Sequence, residues 1–292
     1  MNEENINLTE LILNSINELF SKMFSSIDNT IYSVLDEVTF INNTILENDS
    51  FKKILGESSQ DGILLICNSL VLGFIIYYAI NYLFSHLTYS KIDSPKQFIF
   101  KSIIFIAIMN SSLWICLEII NIISVITDGI SYISQNLFGI QISFSNFIDN
   151  INKNLYIQNE AFNVFSIDGI IKSFTSFGLI NLVFTYSLRY IMIQIFILLS
   201  PFAFLSLISN SSESFFRAWI KVFLSLLLVQ ILISLILLLS FSIELTSNTN
   251  ISKFLYVGII YALSKATSYI KEIFGGISID IKSSLSPNLK SW

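Results

Sequence analysis

Two ionisable side chains stand inside long apolar runs, and they are the residues best placed to do chemistry. Arg189 lies in "LVFTYSLRYIMIQIFILLS" and Glu118 in "SLWICLEIINIISVIT". A charge within a membrane-spanning segment marks an ion path, a proton relay or a buried pair by default. A plainer reading competes. Tyr190 to Ser209 already supplies about 20 residues, enough to cross a bilayer alone. Arg189 is therefore expected at the outer boundary with its head in water. Glu118 approaches the same boundary, so a structural Arg189–Glu118 pair is the second reading and a conduction role the third. Asn68, Asn81, Asn110, Ser111, Ser112, Asn121 and Gln230 read as hydrogen-bond glue between helices rather than a transport path.

No catalytic constellation accompanies these charges. The single histidine, His86, has no carboxylate or second histidine at ligand spacing, and HExxH, GxSxG and GxxxxGK[ST] are all missing from the sequence. Cys67 and Cys116 lie far from any CxxC spacing, so neither a disulfide framework nor a zinc site is suggested. The expectation is a protein without enzymatic activity, cofactor or metal.

The elements that must position these residues are membrane helices. Hydrophobic residues make up 53% of the chain and charged residues only 13%, where soluble domains average about a quarter charged; mean hydropathy is +0.69. Apolar segments at 63–85, 103–126, 177–208, 219–242 and 254–270 predict an all-α integral membrane protein with about five transmembrane helices, the last marginal because Lys265 interrupts it. Residues 63–292 form the polytopic membrane domain. Residues 1–62 form an acidic region, with eleven Asp/Glu against three Lys. The first residues are acidic and polar, so no secretory leader is expected at this end. In "NLTELILNSINELFSKMFSSI" the apolar residues recur every three or four positions, an amphipathic helix with Asn7 and Glu10 as a capping box. A weaker pattern, Ile31 to Ile45, suggests a second helix, so a helical hairpin packing on itself or on the membrane domain is expected, with a partner-binding helix as the other reading.

Charge orients the spans. Lys91, Lys96 and Lys101 follow the first span, Arg217 and Lys221 follow the third, and Lys271, Lys282 and Lys290 occupy the tail. Lys and Arg collect on the cytoplasmic side of short loops. Putting all three clusters inside places the N-terminus outside and the C-terminus in the cytoplasm. Residues 128–176 become an extracytoplasmic segment of amphipathic pieces lying at the interface, with breaks at Gly139 and Gly169. The wealth of Ile, Asn, Ser, Phe and Lys fits a low-GC bacterium or its mobile element.

The stretch "FILLSPFAFLSLISNSSESFFRAWIKVFLSLLLVQ" reads as a hairpin through the bilayer. Pro201 lacks an N–H and crowds the preceding turn, so a bend is expected near Ile197–Pro201. "ISNSSES" is a tight polar turn, and Phe215, Phe216 and Trp219 with Arg217 and Lys221 anchor the return helix at the interface.

With Arg189-Tyr190 before it and "FLYVGIIYALSKATSYIKEIFGGIS" after it, this hairpin resembles the TrbL-type polytopic inner-membrane proteins of conjugative type IV secretion systems, particularly the smaller clostridial-type members. The likeness covers roughly residues 177–279, a little over a third of the chain. It implies a multi-span scaffold without catalytic activity that forms homo-oligomers around the route of DNA or protein. Its partners would be other membrane subunits and ATPases of the apparatus. Carried onto this chain, the resemblance implies Pro201 and Ala203 at the kink, Arg217 and Trp219 at the hairpin anchor, and Gly275 and Gly276 at the final turn. For the glycine pair a plain helix C-cap competes. Direct nucleic-acid contact is not expected, since no basic stripe is evident. Two rival functions remain: a small-solute transporter or channel, against which stands the lack of an internal repeat, and a bacteriocin-immunity or holin-like membrane protein.

Overall fold

The structure is a computed structural model and describes residues 8–42, 45, 49–56, 62–88, 94–154, 165–209, 212–243 and 250–274. Among the described residues there is no strand. The helices are α1 (Leu8–Thr39), α2 (Asp49–Leu55), α3 (Gly62–Thr88), α4 (Pro95–Asn110), α5 (Ser112–Phe138), α6 (Phe144–Asn154), α7 (Ile167–Leu205), α8 (Glu213–Ile243) and α9 (Asn250–Ile273), with a short 3-10 turn at Ser206–Ile208. Four are long and apolar enough to cross a membrane: Gly62–Ser85, Ser112–Phe138, Ile167–Ile208 and Glu213–Ile243. Hydrocarbon offers no water to backbone groups, so helices that satisfy their own N–H and C=O are the form such sequences must take. The protein is an all-α membrane protein.

The observed helices redraw several expected boundaries. The apolar run 103–126 is not one helix. It is divided at Ser111, whose φ of −94° and ψ of 8° separate α4 from α5. Asn and Ser compete with the backbone for hydrogen bonds, and here Asn110 Nδ2 donates to the Ile106 carbonyl at 2.9 Å. Asn110 also exchanges amide hydrogen bonds with Asn68 of α3 at 3.3 and 3.4 Å. In compensation α5 runs on to Phe138, well into the segment expected at the interface, and stops where Gly139 turns left-handed at φ 70°. Gly169 is no break. Ser166 Oγ accepts its N–H at 3.0 Å, capping α7 and starting that helix ten residues before the expected span. The fifth segment is a helix, α9, but not one of the four that meet the length and apolarity of a span.

The N-terminal region is not a hairpin. α1 is one continuous helix through the first pattern and the second as far as Val38, ending at Thr39, and its C-terminal half joins the membrane bundle through Leu35 and its neighbours Ile31, Tyr32 and Val38. The expected cap at Asn7 lies outside the described residues. α6, expected on the surface, is tucked inward: Phe144, Phe147, Ile148 and Ile151 are wholly buried. Phe144 meets Tyr186 of α7 at 6.1 Å and Phe147 meets Tyr256 of α9 at 6.3 Å between ring centroids. Asp36 Oδ1 of α1 accepts the Phe144 N–H at 2.7 Å and so caps this helix.

α7 is the axis, touching α1, α3, α4, α5, α8 and α9. Gly178 makes the closest approach possible, since a Cβ there would run into Ile260 of α9. One apolar cluster surrounds α6, α7, α8 and α9, and a second gathers the lower part of α7 and α8 with α3, α4 and α5.

A candidate functional site: a polar junction inside the bundle

Where α1 ends, the chain leaves the helical path while still inside the bundle. Thr39 and Ile41 are almost wholly buried, and non-helical backbone survives at membrane depth only if protein groups satisfy it. Two side chains from two other helices do so, and a third helix supports one of them. Arg189 Nη2 of α7 donates to the Thr39 carbonyl at 2.6 Å. Gln230 of α8 takes both polar groups of Ile41: its Oε1 accepts the Ile41 N–H at 3.2 Å and its Nε2 donates to the Ile41 carbonyl at 3.4 Å. The same Nε2 reaches Thr127 Oγ1 of α5 at 3.2 Å, and Thr127 donates in turn to the Ile123 carbonyl at 3.0 Å. The Phe40 N–H returns to the Asp36 carbonyl at 3.0 Å.

The electrostatics follow from the same geometry. Thr39 is the last residue of α1, where aligned peptide dipoles concentrate negative charge, so a cation is favoured there. The Arg189 guanidinium also stands 5.9 Å from the ring centroid of Tyr186, and the Tyr186 hydroxyl donates to the Leu263 carbonyl of α9 at 2.9 Å. Five helices thus meet at one polar junction. Compensation is incomplete: Arg189 is 2% exposed, and its Nε and Nη1, with the Thr39 hydroxyl, have no hydrogen-bond partner among the described residues. A buried cation with donors to spare is costly and is chemically equipped to hold a water or an anion.

Arg189 therefore does not snorkel. α7 begins 22 residues ahead of it, which puts the guanidinium near the middle of the helix rather than at its edge. Nor does it pair with Glu118, which is exposed on α5 and makes no hydrogen bond to it.

The hairpin residues are placed as follows. α7 continues through Pro201. The carbonyl that Pro201 leaves without its backbone donor is that of Ile197, and the Ser200 hydroxyl donates to it at 2.7 Å. Ala203, two residues beyond Pro201, is wholly buried. Trp219 is not an interface anchor. It is buried, its Nε1 donates to the Phe196 carbonyl at 2.9 Å, and its ring stacks on Phe223 at 5.1 Å. Arg217 faces outward and pairs with Glu213 at 2.9 Å. Gly275 and Gly276 lie outside the described residues. Among the described residues no group of three His, Cys, Asp or Glu is placed to hold a metal. Sequence reasoning missed Thr39, Ile41, Thr127 and Tyr186. The Asn-Asn pair at 42–43, between Ile41 and Ile45, is the sequence feature nearest the break after Thr39.

No protein-family profile, curated protein or solved structure matches the chain.

Proposed function

We propose that the protein is a non-enzymatic scaffold subunit of the membrane complex through which a conjugative type IV secretion apparatus passes DNA or protein. The observation that carries this reading is the solid packing of the helices that bear the TrbL-type resemblance. Tyr186 and Ile193 of α7 and Phe223, Leu227 and Ile233 of α8 are wholly buried, which supports a brace in a larger assembly over a carrier with a path at its midplane. α3 supports lateral association: only 17% of its most apolar window is covered by the rest of the chain, against 50% for α7 and α8. In this reading the subunits form a homo-oligomer in the cytoplasmic membrane and meet other membrane subunits and ATPases. The lysines of 91–101 and the 209–221 turn then face the cytoplasm, with the N-terminus outside.

One observation favours a second reading, a small-solute carrier. A buried arginine beside broken backbone near the middle of the bundle is the kind of feature that binds anions in transporters. Deleting the gene, complementing it in trans and counting transfer of the mobile element distinguishes the two. Transfer lost on deletion and restored by the complement, with solute uptake unchanged, supports the scaffold. Unchanged transfer with altered uptake overturns it.

A further inference from the structure

Between α3 and α4 lies an apolar groove of about 490 Å³, within the ~300–1,000 Å³ range of small-molecule sites. Ile75 and Ala79 of α3 and Ile99 and Ile103 of α4 line it. Tyr78 and Phe98 join the two walls, their rings stacked 3.7 Å apart and 4° from parallel. Its helices belong to the most weakly covered part of the molecule, so the groove opens toward whatever surrounds α3 in the bilayer.

Three observations bear on what fits there. First, the groove follows α4 from Pro95 to Ile106, a rise of about 16 Å, and one leaflet of a ~30 Å hydrocarbon core is about half that core. Second, its charge is mainly basic. Lys96, exposed, stands beside Pro95 at the start of α4 and Lys101 follows; Asp93 precedes Ser94 in the sequence, and from Ser94 to Ile106 and throughout α3 there is no acidic residue. Third, Ser102 lines the groove, is 5% exposed, and its hydroxyl has no hydrogen-bond partner. A single hydrocarbon chain bearing an anionic head meets the first two conditions; Ser102, about 9 Å along α4 from Lys96, lies beside the chain rather than the head. A second copy of the protein does not meet the second, because neither wall offers an acidic residue to answer Lys96.

We propose that this groove seats one acyl chain of an anionic phospholipid, with the phosphate at Lys96. The site rests on the membrane assignment alone and is independent of the conjugative reading.

The test is native mass spectrometry of the full chain released from vesicles of dioleoyl-phosphatidylglycerol or dioleoyl-phosphatidylcholine. One phosphatidylglycerol per chain should be retained under conditions that strip phosphatidylcholine. Lys96→Gln should lower that preference about five-fold, the effect of one lysine at an anionic surface. Ala79→Phe, which fills the groove, should abolish retention of either lipid. Equal retention of the two lipids by the parent chain overturns the proposal. So does retention unaffected by Ala79→Phe in protein that still melts cooperatively. A dimer mass in place of bound lipid, lost in Ala79→Phe, overturns it in favour of a second copy. If Ala79→Phe does not fold, the Lys96→Gln ratio decides alone.

Discussion

At the residue scale the polar junction separates two kinds of side chain. Gln230 completes its partners, whereas Arg189 leaves donors over, and the two should answer substitution differently. Gln230→Leu strands both polar groups of Ile41 in apolar surroundings, which should cost about 1–3 kcal/mol for each group left unmet, read as a lower unfolding midpoint in detergent. Arg189→Met removes a poorly compensated buried charge while keeping most of the volume, but it strands the buried Thr39 carbonyl and should cost about 1–3 kcal/mol. Arg189→Ala leaves a cavity instead and should cost about 2–5 kcal/mol, as other large-to-alanine core changes do. An arginine at the membrane surface would make both arginine variants silent. The position of Arg189 was only partly legible in the sequence. It falls on the stripe Leu182, Tyr186, Arg189, Ile193 and Ile197, all buried, but the opposite stripe, Phe184, Leu188, Ile191 and Ile195, is just as apolar and is exposed. In lipid both faces of a helix are hydrophobic, so periodicity does not say which one faces inward.

At the element scale α7 shows how a proline is accommodated in a long apolar helix. Ser200 supplies the donor that Pro201 withholds, so the two residues form a unit. Ser200→Ala should cost about 1 kcal/mol. Pro201→Ala restores a backbone N–H, and the double variant should regain the stability that Ser200→Ala loses. A double-mutant cycle of unfolding midpoints reads this coupling; strictly additive effects would dissolve the unit. The contact of α7 with α9 is the other constraint. Gly178→Leu drives a side chain into Ile260 and should destabilise by about 1–3 kcal/mol, loosening α9 first in hydrogen exchange. Helix identity was legible here, because apolar length suffices for it. The α4–α5 break and the inward turn of α6 were not, because each depends on a distant partner: Asn68 for Asn110, and Asp36 and Tyr186 for Phe144.

At the scale of the whole molecule, the membrane class followed from composition, and the four long helices follow the expected apolar runs in number and order, apart from the marginal fifth. The sequence left open whether residues 31–42, 45 and 49–55 pack on themselves or on the membrane domain; they belong to the bundle. Their acidity and modest hydropathy suggest an aqueous appendage. The sites that receive them, Arg189 and Gln230, are 150 and 189 residues away, a separation no local pattern encodes. That separation also carries a timetable. At ~5–20 residues per second the ribosome takes roughly 10–40 s to pass from Ile41 to Gln230. For that interval the Gln230 half of its receiving site is missing, although α7 with Arg189 is made earlier. Closing so long a loop adds little thermodynamic cost, so the burden is kinetic: the first element synthesised is among the last to be seated. In a background with Cys67 and Cys116 replaced by alanine, Ile41→Cys should react with a maleimide in stalled chains ending before Gln230 and be shielded in the finished protein. Equal shielding in both would mean that the N-terminal segment finds its place before its receptor is complete.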